Sequence, residues 1–331
     1  MVQAFEAKEA QLKLEGERKQ KAKDERIMLL RHVWTREIVP HWDKKRRTKV
    51  LQDLVWQGIP ASIRTKVWPM LLGNDLHVTP ELFKIYVKQA EAGKALRATG
   101  LVIEGMGKLE TASLIGVDLP RTFPALAFYQ EGGPNHAELH RVLDAYVCYR
   151  PDIGYVQGMS YLAAILLLYL DDATAFACLA NLLNRSVQMA FYKMDVDMQQ
   201  YISLFETLFK RSLPELHHHF ERIGLTSDMY LLDWILTIYS KSLPLDLSTR
   251  LWDIYIFEGQ SFFFRASLGI LKYVQANILT NELDLGPCKR ILARLPEEHI
   301  DEEALIATIA SVTLKEHEDL MDQFQIPLFK L

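Results

Sequence analysis

The sequence has few of the residues that mark a secreted, disulfide-linked or zinc-binding protein. Its 331 residues include three cysteines, Cys148, Cys178 and Cys288, which form no Cys-x-x-Cys pair. Widely separated cysteines without zinc-ligand spacing are typical of reduced thiols. The N-terminus is charged rather than apolar, which argues against a secretory signal. These absences favour a cytoplasmic protein.

Long apolar runs and an excess of basic residues are also missing. The longest apolar run covers residues 161–170 and ends at Asp171, so it is too short to span a bilayer and predicts a buried core helix. The formal net charge is −4, which provides no globally basic surface for nucleic acid. We therefore expect a soluble protein with no nucleic-acid partner and no membrane anchor of its own.

The sequence lacks the motifs of a self-contained enzyme. Residues 105–108 read Gly-Met-Gly-Lys, but a phosphate-binding loop needs Gly at the position of Val102 and Ser or Thr at that of Leu109. Metalloprotease, Ser-hydrolase and dinucleotide-binding motifs are absent. Three adjacent histidines, 217–219, point in different directions on a helix, so a surface run is favoured over a metal site. We expect no metal and no cofactor belonging to the chain itself.

Signals for β-strands are scarce, whereas signals for helices recur along the chain. Asn-Gly and Asp-Gly turns are absent, and sustained alternation of apolar and polar residues is hard to find. Asn135 followed by Glu138 resembles a capping box that opens a helix, and Pro151 stops that helix. Pro244 and Gly259 bracket another helix. The sequence predicts an all-α, irregular, two-lobed fold.

Composition divides the chain into a charged arm and a large domain. Residues 1–45 form the predicted arm, and residues 46–331 form the domain, with lobes of approximately 46–200 and 201–331. Between Glu15 and Arg26 there is no large apolar residue, so this part has no face to bury. A solvated helix or partly disordered arm is favoured over a partner-binding helix.

Two short segments contain residues suited to phosphoryl transfer. Residues 115–124 read Ile-Gly-Val-Asp-Leu-Pro-Arg-Thr-Phe-Pro, and residues 154–159 read Gly-Tyr-Val-Gln-Gly-Met. Each segment alone is ambiguous, since an Arg beside Pro is often a surface loop residue and a Gln at a helix start is often a capping amide. Together they offer a cation for phosphate charge and an amide to orient an attacking water, which GTP hydrolysis requires.

The order of these motifs resembles the signature of TBC-domain Rab GTPase-activating proteins. The pair Ile-x-x-Asp-x-x-Arg and Tyr-x-Gln-Gly carries the resemblance, which extends over roughly residues 50–320. Further motif residues occur in the family's order, and we interpret them as structural. They are Trp56, Gly58, Pro60, Arg64, Trp68, Trp252 and Asp253.

The resemblance implies a GTPase activator that supplies two residues in trans. Arg121 is then the arginine finger, and Gln157 positions the hydrolytic water in place of the Rab's own glutamine. Asp118 orients Arg121 or its loop, and Tyr155 lines the site. Gly158, which follows Gln157, either lets the loop approach the partner's backbone closely or merely permits a tight turn before the apolar helix. An arginine finger accelerates other GTPases by about 10³ to 10⁵, or roughly 4 to 7 kcal/mol of barrier.

The implied partner is a Rab in its GTP form, which brings its own Mg and GTP. Rabs are lipid-anchored, so the resemblance implies only indirect membrane contact, transient recruitment from the cytoplasm to endomembranes, and a role in vesicle trafficking. Two alternatives stay open at this point. The first is a non-catalytic Rab-binding module that keeps the fold, and the second is a helical adaptor that engages another protein through residues 1–45.

Overall fold

A computed structural model describes residues 2–98, 108–295 and 300–328 of the chain. Each described residue is helical, in a turn or irregular, and none lies in a strand, which confirms the prediction of an all-α chain. The chain divides into two compact units, residues 1–68 and 69–330. The predicted boundaries near residues 45 and 200 stay predictions, and residues 105–107 of the rejected phosphate-loop motif lie outside the described residues.

The first unit starts with a long helix whose side chains at positions 21–29 are all exposed. Thr48 caps the third helix, because its side-chain oxygen accepts a hydrogen bond from the backbone N–H of Leu51 at 3.3 Å. The helices here are α1 Val2–Val33, a π-helical turn Trp34–Ile38, a 3₁₀ turn Val39–His41, α2 Trp42–Lys45 and α3 Lys49–Trp56, and α4 Ala61–Leu72 runs on into the second unit.

The second unit contains the remaining helices. Its first part comprises α5 Pro80–Ala98, a 3₁₀ turn Leu109–Leu114, α6 Ile115–Asp118, 3₁₀ turns Leu119–Arg121 and Pro124–Leu126, α7 His136–Tyr149, α8 Met159–Leu167, α9 Asp172–Leu183 and α10 Ser186–Lys193. The rest comprises α11 Val196–Ser212, α12 Pro214–Ile223, α13 Asp228–Thr237, α14 Leu245–Glu258, α15 Ser261–Thr280, α16 Leu285–Ala293, α17 Glu302–Ser311, a 3₁₀ turn Lys315–His317 and α18 Glu318–Gln323.

Helix α8 lies in the core of the second unit and positions the site described below. Leu162, Ile165 and Leu166 on α8 are fully buried, and the helix packs against α7, α9 and α13. This confirms the core helix predicted from the apolar run. Burying each such side chain contributes about 1.5 to 3 kcal/mol, so the start of α8 is firmly placed. Within the described residues, no helix is both long enough and apolar enough to cross a membrane.

The predicted helix ends agree with the structure except for one cap. Helix α14 lies between Pro244 and Gly259, and α7 ends ahead of Pro151, as the sequence indicates. Asn135 is the N-cap of α7, but its side chain makes no capping hydrogen bond, so the predicted capping box is wrong. The reason is local: Asn135 has φ −109° and ψ 10°, whereas a capping side chain is usually presented from extended backbone.

The histidine run is not a surface run. His217 and His219 are buried, and only His218 of the three is exposed. Nε2 of His217 lies 2.7 Å from a carboxylate oxygen of Glu206, and Nε2 of His219 contacts the backbone carbonyl of Leu283 at 2.8 Å. Helix α12 thus turns two of the histidines inward, where polar partners offset their burial. Among the described residues, no group of His, Cys, Asp or Glu side chains is arranged to hold a metal ion.

Candidate functional site

Arg121 lies at the end of a short helical segment whose apolar residues anchor it in the core. Ile115 and Leu119 are fully buried, whereas the Arg121 side chain is 60% exposed. Its Nη2 lies 3.1 Å from Oδ1 of Asp118, and its Nε donates to the carbonyl of Val117 at 3.2 Å. The guanidinium group is therefore tethered at two points and still faces solvent.

Asp118 connects the arginine to the second motif. Its side chain is buried, and its Oδ2 accepts a 2.7 Å hydrogen bond from the hydroxyl group of Tyr155, which is also buried. Burial raises the pKa of Tyr155 above its usual value of 10, and the neighbouring Asp118 carboxylate raises it further. The phenol therefore keeps its proton at neutral pH and serves as the donor. One carboxylate thus holds Tyr155 and Arg121 together.

Gln157 is exposed in the turn that leads into α8, and glycines on both sides shape that turn. Gly158 is the N-cap of α8 with φ +102°, and Gly154 has φ +71°, both in the left-handed region that favours glycine. A Cβ atom at Gly154 would lie 2.6 Å from Oγ1 of Thr111, whose hydroxyl also accepts the backbone N–H of Tyr155 at 2.7 Å. The close approach that glycine permits here is to the chain's own backbone and side chains.

Hydrogen bonds also join the two motif segments through residues to which the sequence analysis gave no role. The Thr122 and Ser160 hydroxyl groups lie 2.8 Å apart in the core, and the Tyr161 hydroxyl group donates to the carbonyl of Arg121 at 2.8 Å. Single hydroxyl residues carry no periodic pattern or motif of their own. Only their position in the sequence could have pointed to them, since each follows Arg121 or Gln157 by one to four residues.

The residues interpreted as structural are mostly buried. Trp68, Trp252 and Asp253 are fully buried, and Nε1 of Trp252 donates to the hydroxyl group of Ser240 at 3.0 Å. Arg64 is also buried, with its guanidinium 5.6 Å from the centroid of the Trp68 ring. Pro60 is buried as well, whereas Trp56 and Gly58 are half-buried.

The arrangement leaves a cation and an amide, Arg121 and Gln157, exposed on two joined segments. Guanidinium and carboxamide groups bind by hydrogen bonds and charge, and the guanidinium fork matches the geometry of phosphate oxygens. Because Asp118 and Val117 occupy one face of Arg121, its orientation is set before any ligand arrives. Preorganised charge of this kind stabilises negative charge that develops in a transition state.

Comparisons with known proteins agree with this reading of the motifs. A family model described as the Rab-GTPase-TBC domain matches residues 61–279. TBC1 domain family member 12 of Xenopus tropicalis is 43% identical over 319 residues, covering 94% of this chain and 46% of that protein. TBC1 domain family member 14 of Homo sapiens is 43% identical over 325 residues, again covering 94% and 46%. The chain thus spans about half the length of these relatives.

A solved structure shows the same fold. The Chlamydomonas flagellar RabGAP TBC domain superimposes with a TM-score of 0.68 at 26% identity, and the match covers 88% of this chain and 93% of that one. This similarity and the sequence matches confirm the predicted fold class and the resemblance drawn from the motifs. The roles of Arg121 and Gln157 stay predictions.

Proposed function

The chain belongs to the Rab-GTPase-TBC domain family, and from this premise we propose that it accelerates GTP hydrolysis on Rab-type small GTPases. The observation that carries the proposal is the geometry of Arg121, which is 60% exposed and yet held by Asp118 at 3.1 Å. An arginine that is exposed and oriented suits insertion into a partner's nucleotide site. The proposed role of the chain in the cell is to regulate vesicle trafficking by switching Rabs off.

Arg121 is proposed as the arginine finger. A guanidinium group has five N–H donors, and the contacts with Asp118 and Val117 use one donor on Nη2 and the one on Nε. Among the residues that the structure describes, the other donors, including both on Nη1, have no hydrogen-bond partner, and we propose that they bind the phosphate oxygens of GTP. In its proposed role, the finger neutralises charge that builds up between the β- and γ-phosphates, where other arginine fingers contribute about 10³ to 10⁵ in rate.

Gln157 is proposed to position the hydrolytic water. A carboxamide accepts a hydrogen bond through its oxygen and donates through its nitrogen, so it can bind water and the partner's backbone at once. Its exposure and its place directly before the buried helix α8 support this role. The Rab supplies Mg²⁺ and GTP, so the reaction needs no cofactor bound by the chain itself.

The test is single-turnover GTP hydrolysis across a panel of Rabs loaded with Mg²⁺ and GTP. Wild type is expected to accelerate a few of them, and Arg121→Ala and Gln157→Ala to lose that acceleration while still binding the same Rabs. Matched controls are Arg211→Ala and Gln200→Ala, which remove an exposed Arg and an exposed Gln elsewhere in the second unit. Binding without acceleration by wild type would instead identify a non-catalytic Rab-binding module.

Arg121→Lys tests whether the planar fork matters beyond its charge. Lysine keeps the positive charge but presents one ammonium group, which cannot bridge two phosphate oxygens and keep the contact with Asp118. We expect a loss close to that of Arg121→Ala, of about 10² or more in rate. A rate within threefold of wild type would show that positive charge alone is sufficient. It would contradict the proposal that the planar guanidinium group of Arg121 is needed.

Membrane contact is proposed to be indirect. The partner is a GTP-bound Rab anchored in an endomembrane, and the chain is proposed to be cytoplasmic and recruited transiently by that Rab. Liposomes carrying a responsive Rab in its GTP form are expected to retain the chain, whereas Rab-free liposomes at physiological salt are not. Retention on Rab-free liposomes, or on nucleic acid in a parallel filter assay, would contradict this part of the proposal.

A further inference from the structure

The first turn of α8 holds the loop that carries Arg121. Tyr161 on this turn donates from its hydroxyl group to the backbone carbonyl of Arg121 at 2.8 Å. Its ring also meets the ring of Phe123 edge to face, with centroids 5.0 Å apart. Burial raises the pKa of Tyr161 above its usual value of 10, so the hydroxyl group is a donor at neutral pH. One side chain therefore contacts the loop on both sides of Thr122.

The loop that Tyr161 holds is strained. Phe123 has φ 45° and ψ 58°, a left-handed conformation that a bulky side chain rarely adopts. It also precedes Pro124, whose ring further restricts the backbone of Phe123. Residues in such conformations persist only where surrounding contacts determine them. The ring contact and the hydrogen bond from Tyr161 are contacts of that kind.

A second tie joins the same elements in the core. Oγ1 of Thr122 donates to the carbonyl of Asp118 at 2.9 Å and lies 2.8 Å from the hydroxyl oxygen of Ser160. Thr122 and Ser160 are both buried, so water does not compete for these hydrogen bonds. Ser160 and Tyr161 are adjacent on α8, and Gln157 enters this helix through Gly158. The turn that presents Gln157 and the loop that presents Arg121 are therefore tied together.

We propose that Tyr161 is a positioning residue that fixes the arginine loop relative to Gln157, an inference that rests on the proposed function. The two side chains must reach the phosphate and the hydrolytic water at the same time. Small displacements matter in such sites, because a misplacement of about 1 Å can cost about 10²-fold in rate. Tyr161 acts through the backbone of Arg121, whose carbonyl oxygen accepts its hydroxyl hydrogen bond.

Tyr161→Phe is the sharpest variant, since it keeps the ring on Phe123 and removes only the hydrogen bond to Arg121. At a saturating concentration of the variant, the rate of hydrolysis of GTP bound to the Rab is expected to fall about tenfold. The Kd for the Rab is expected to stay within twofold of the wild-type value. The matched control is Tyr129→Phe, which loses a similar 2.7 Å bond from a tyrosine hydroxyl group to the carbonyl of Ala164, also on α8. This control is expected to keep the wild-type maximal rate.

A double-mutant cycle separates positioning from a general structural effect. In the Arg121→Ala background, Tyr161→Phe is expected to change the residual rate by less than twofold, because the side chain it positions is gone. An equal loss in both backgrounds, or a loss no larger than that of Tyr129→Phe, would overturn the proposal and leave the proposed function intact. A wild-type chain that accelerates no Rab would overturn both.

Thermal unfolding checks that each variant is folded at the assay temperature. If Tyr161→Phe is unfolded there, Ser160→Ala removes the neighbouring tie to Thr122 and is put through the same cycle. We expect the same pattern for Ser160→Ala. In the wild-type background the maximal rate falls and the Kd for the Rab is unchanged, and in the Arg121→Ala background the residual rate does not fall further. A wild-type maximal rate in Ser160→Ala would then overturn the proposed tie between the loop and α8.

Discussion

The hydroxyl group of Tyr155 donates a 2.7 Å hydrogen bond to the buried carboxylate of Asp118, whose other oxygen faces Arg121 at 3.1 Å. The sequence presents these residues in two separate motifs. In the folded chain they form one connected set, in which a single negative charge satisfies a phenol and orients a guanidinium group. Because a buried carboxylate needs such partners, Asp118 depends on both Tyr155 and Arg121.

Asp118→Asn is expected to lower the rate of Rab-stimulated hydrolysis by about 10- to 100-fold, because the carboxamide no longer holds Arg121 by charge. It is also expected to cost about 1.5 to 3 kcal/mol in the free energy of unfolding, the usual range for a hydrogen bond to a charged group. Single-turnover hydrolysis and urea unfolding measure the two effects. Tyr155→Phe, which keeps the ion pair, is expected to show a smaller loss of rate.

The matched control for Asp118→Asn is Asp172→Asn, since Asp172 is likewise paired with an arginine, Arg141, at 2.8 Å. That pair is outside the proposed site, so the hydrolysis rate is expected to stay within twofold of wild type. A wild-type rate in Asp118→Asn would show that Arg121 does not depend on Asp118 for its orientation.

Gly269→Ala is expected to destabilise the chain even though alanine favours helices. Gly269 lies within α15, and a Cβ atom there would sit 2.6 Å from Cγ1 and 2.7 Å from Cα of Ile309 on α17. Separating the two helices is expected to cost about 1 to 3 kcal/mol, which exceeds the gain of about 1 kcal/mol from helix propensity. Urea unfolding measures the net change.

Gly286→Ala is the control for that substitution, since Gly286 lies in α16 and a Cβ atom there would be 3.7 Å from Nη1 of Arg290, an ordinary contact. It is expected to be neutral or to stabilise the chain by up to about 1 kcal/mol. Equal effects of the two substitutions would contradict the close packing of α15 on α17.

Stability is expected to fall at alkaline pH because several tyrosines are buried with raised pKa values. The unfolded chain loses their protons near pH 10, whereas the folded chain retains them to higher pH. The stabilisation that these tyrosines contribute to the free energy of unfolding is therefore complete below pH 10. It declines above pH 10 by about 1.4 kcal/mol per pH unit for each such group. These groups include Tyr129, Tyr146, Tyr155, Tyr192, Tyr230 and Tyr239, each with its pKa raised chiefly by burial.

Urea unfolding at pH 8, 10 and 11, with tyrosinate absorbance and circular dichroism recorded together, measures this decline. Tyrosinate from the buried groups is expected to form only as helicity is lost. Tyr230→Phe is expected to give a shallower decline above pH 10, since it removes one fully buried phenol. Full ionisation of the tyrosines near pH 10 in a chain that keeps its helices would contradict the expectation.

Cys178 is expected to resist alkylation until the chain unfolds. The thiol is buried in α9, and burial raises its pKa from 9.0 to about 12. The thiolate is the reactive form, and at pH 8 only about 10⁻⁴ of the Cys178 side chains are present as thiolate. Mass spectrometry after brief iodoacetamide treatment, with and without urea, measures the protection. Rapid labelling of Cys178 in the folded chain would contradict its burial.

Helix ends were predictable where turn residues act locally. Pro244 fixes its own φ, and Gly259 accepts φ 82° after the last turn, so the bounds of α14 follow from the residues at its ends. His217 and His219 show the limit of such reasoning. Histidine is polar by composition, and its burial here depends on Glu206 and Leu283, which come from other parts of the chain.

The sequence by itself determined the all-α fold class, the family and the two candidate fingers, because periodicity and motif order are properties of short stretches of chain. The tertiary structure decided how the Arg121 loop is joined to the second motif, since Tyr155 reaches Asp118 and Tyr161 reaches the carbonyl of Arg121 only when α8 packs in the core. Hydrogen bonds between residues about 40 positions apart leave no local pattern. Their geometry is set by long-range packing, in which many buried side chains act together.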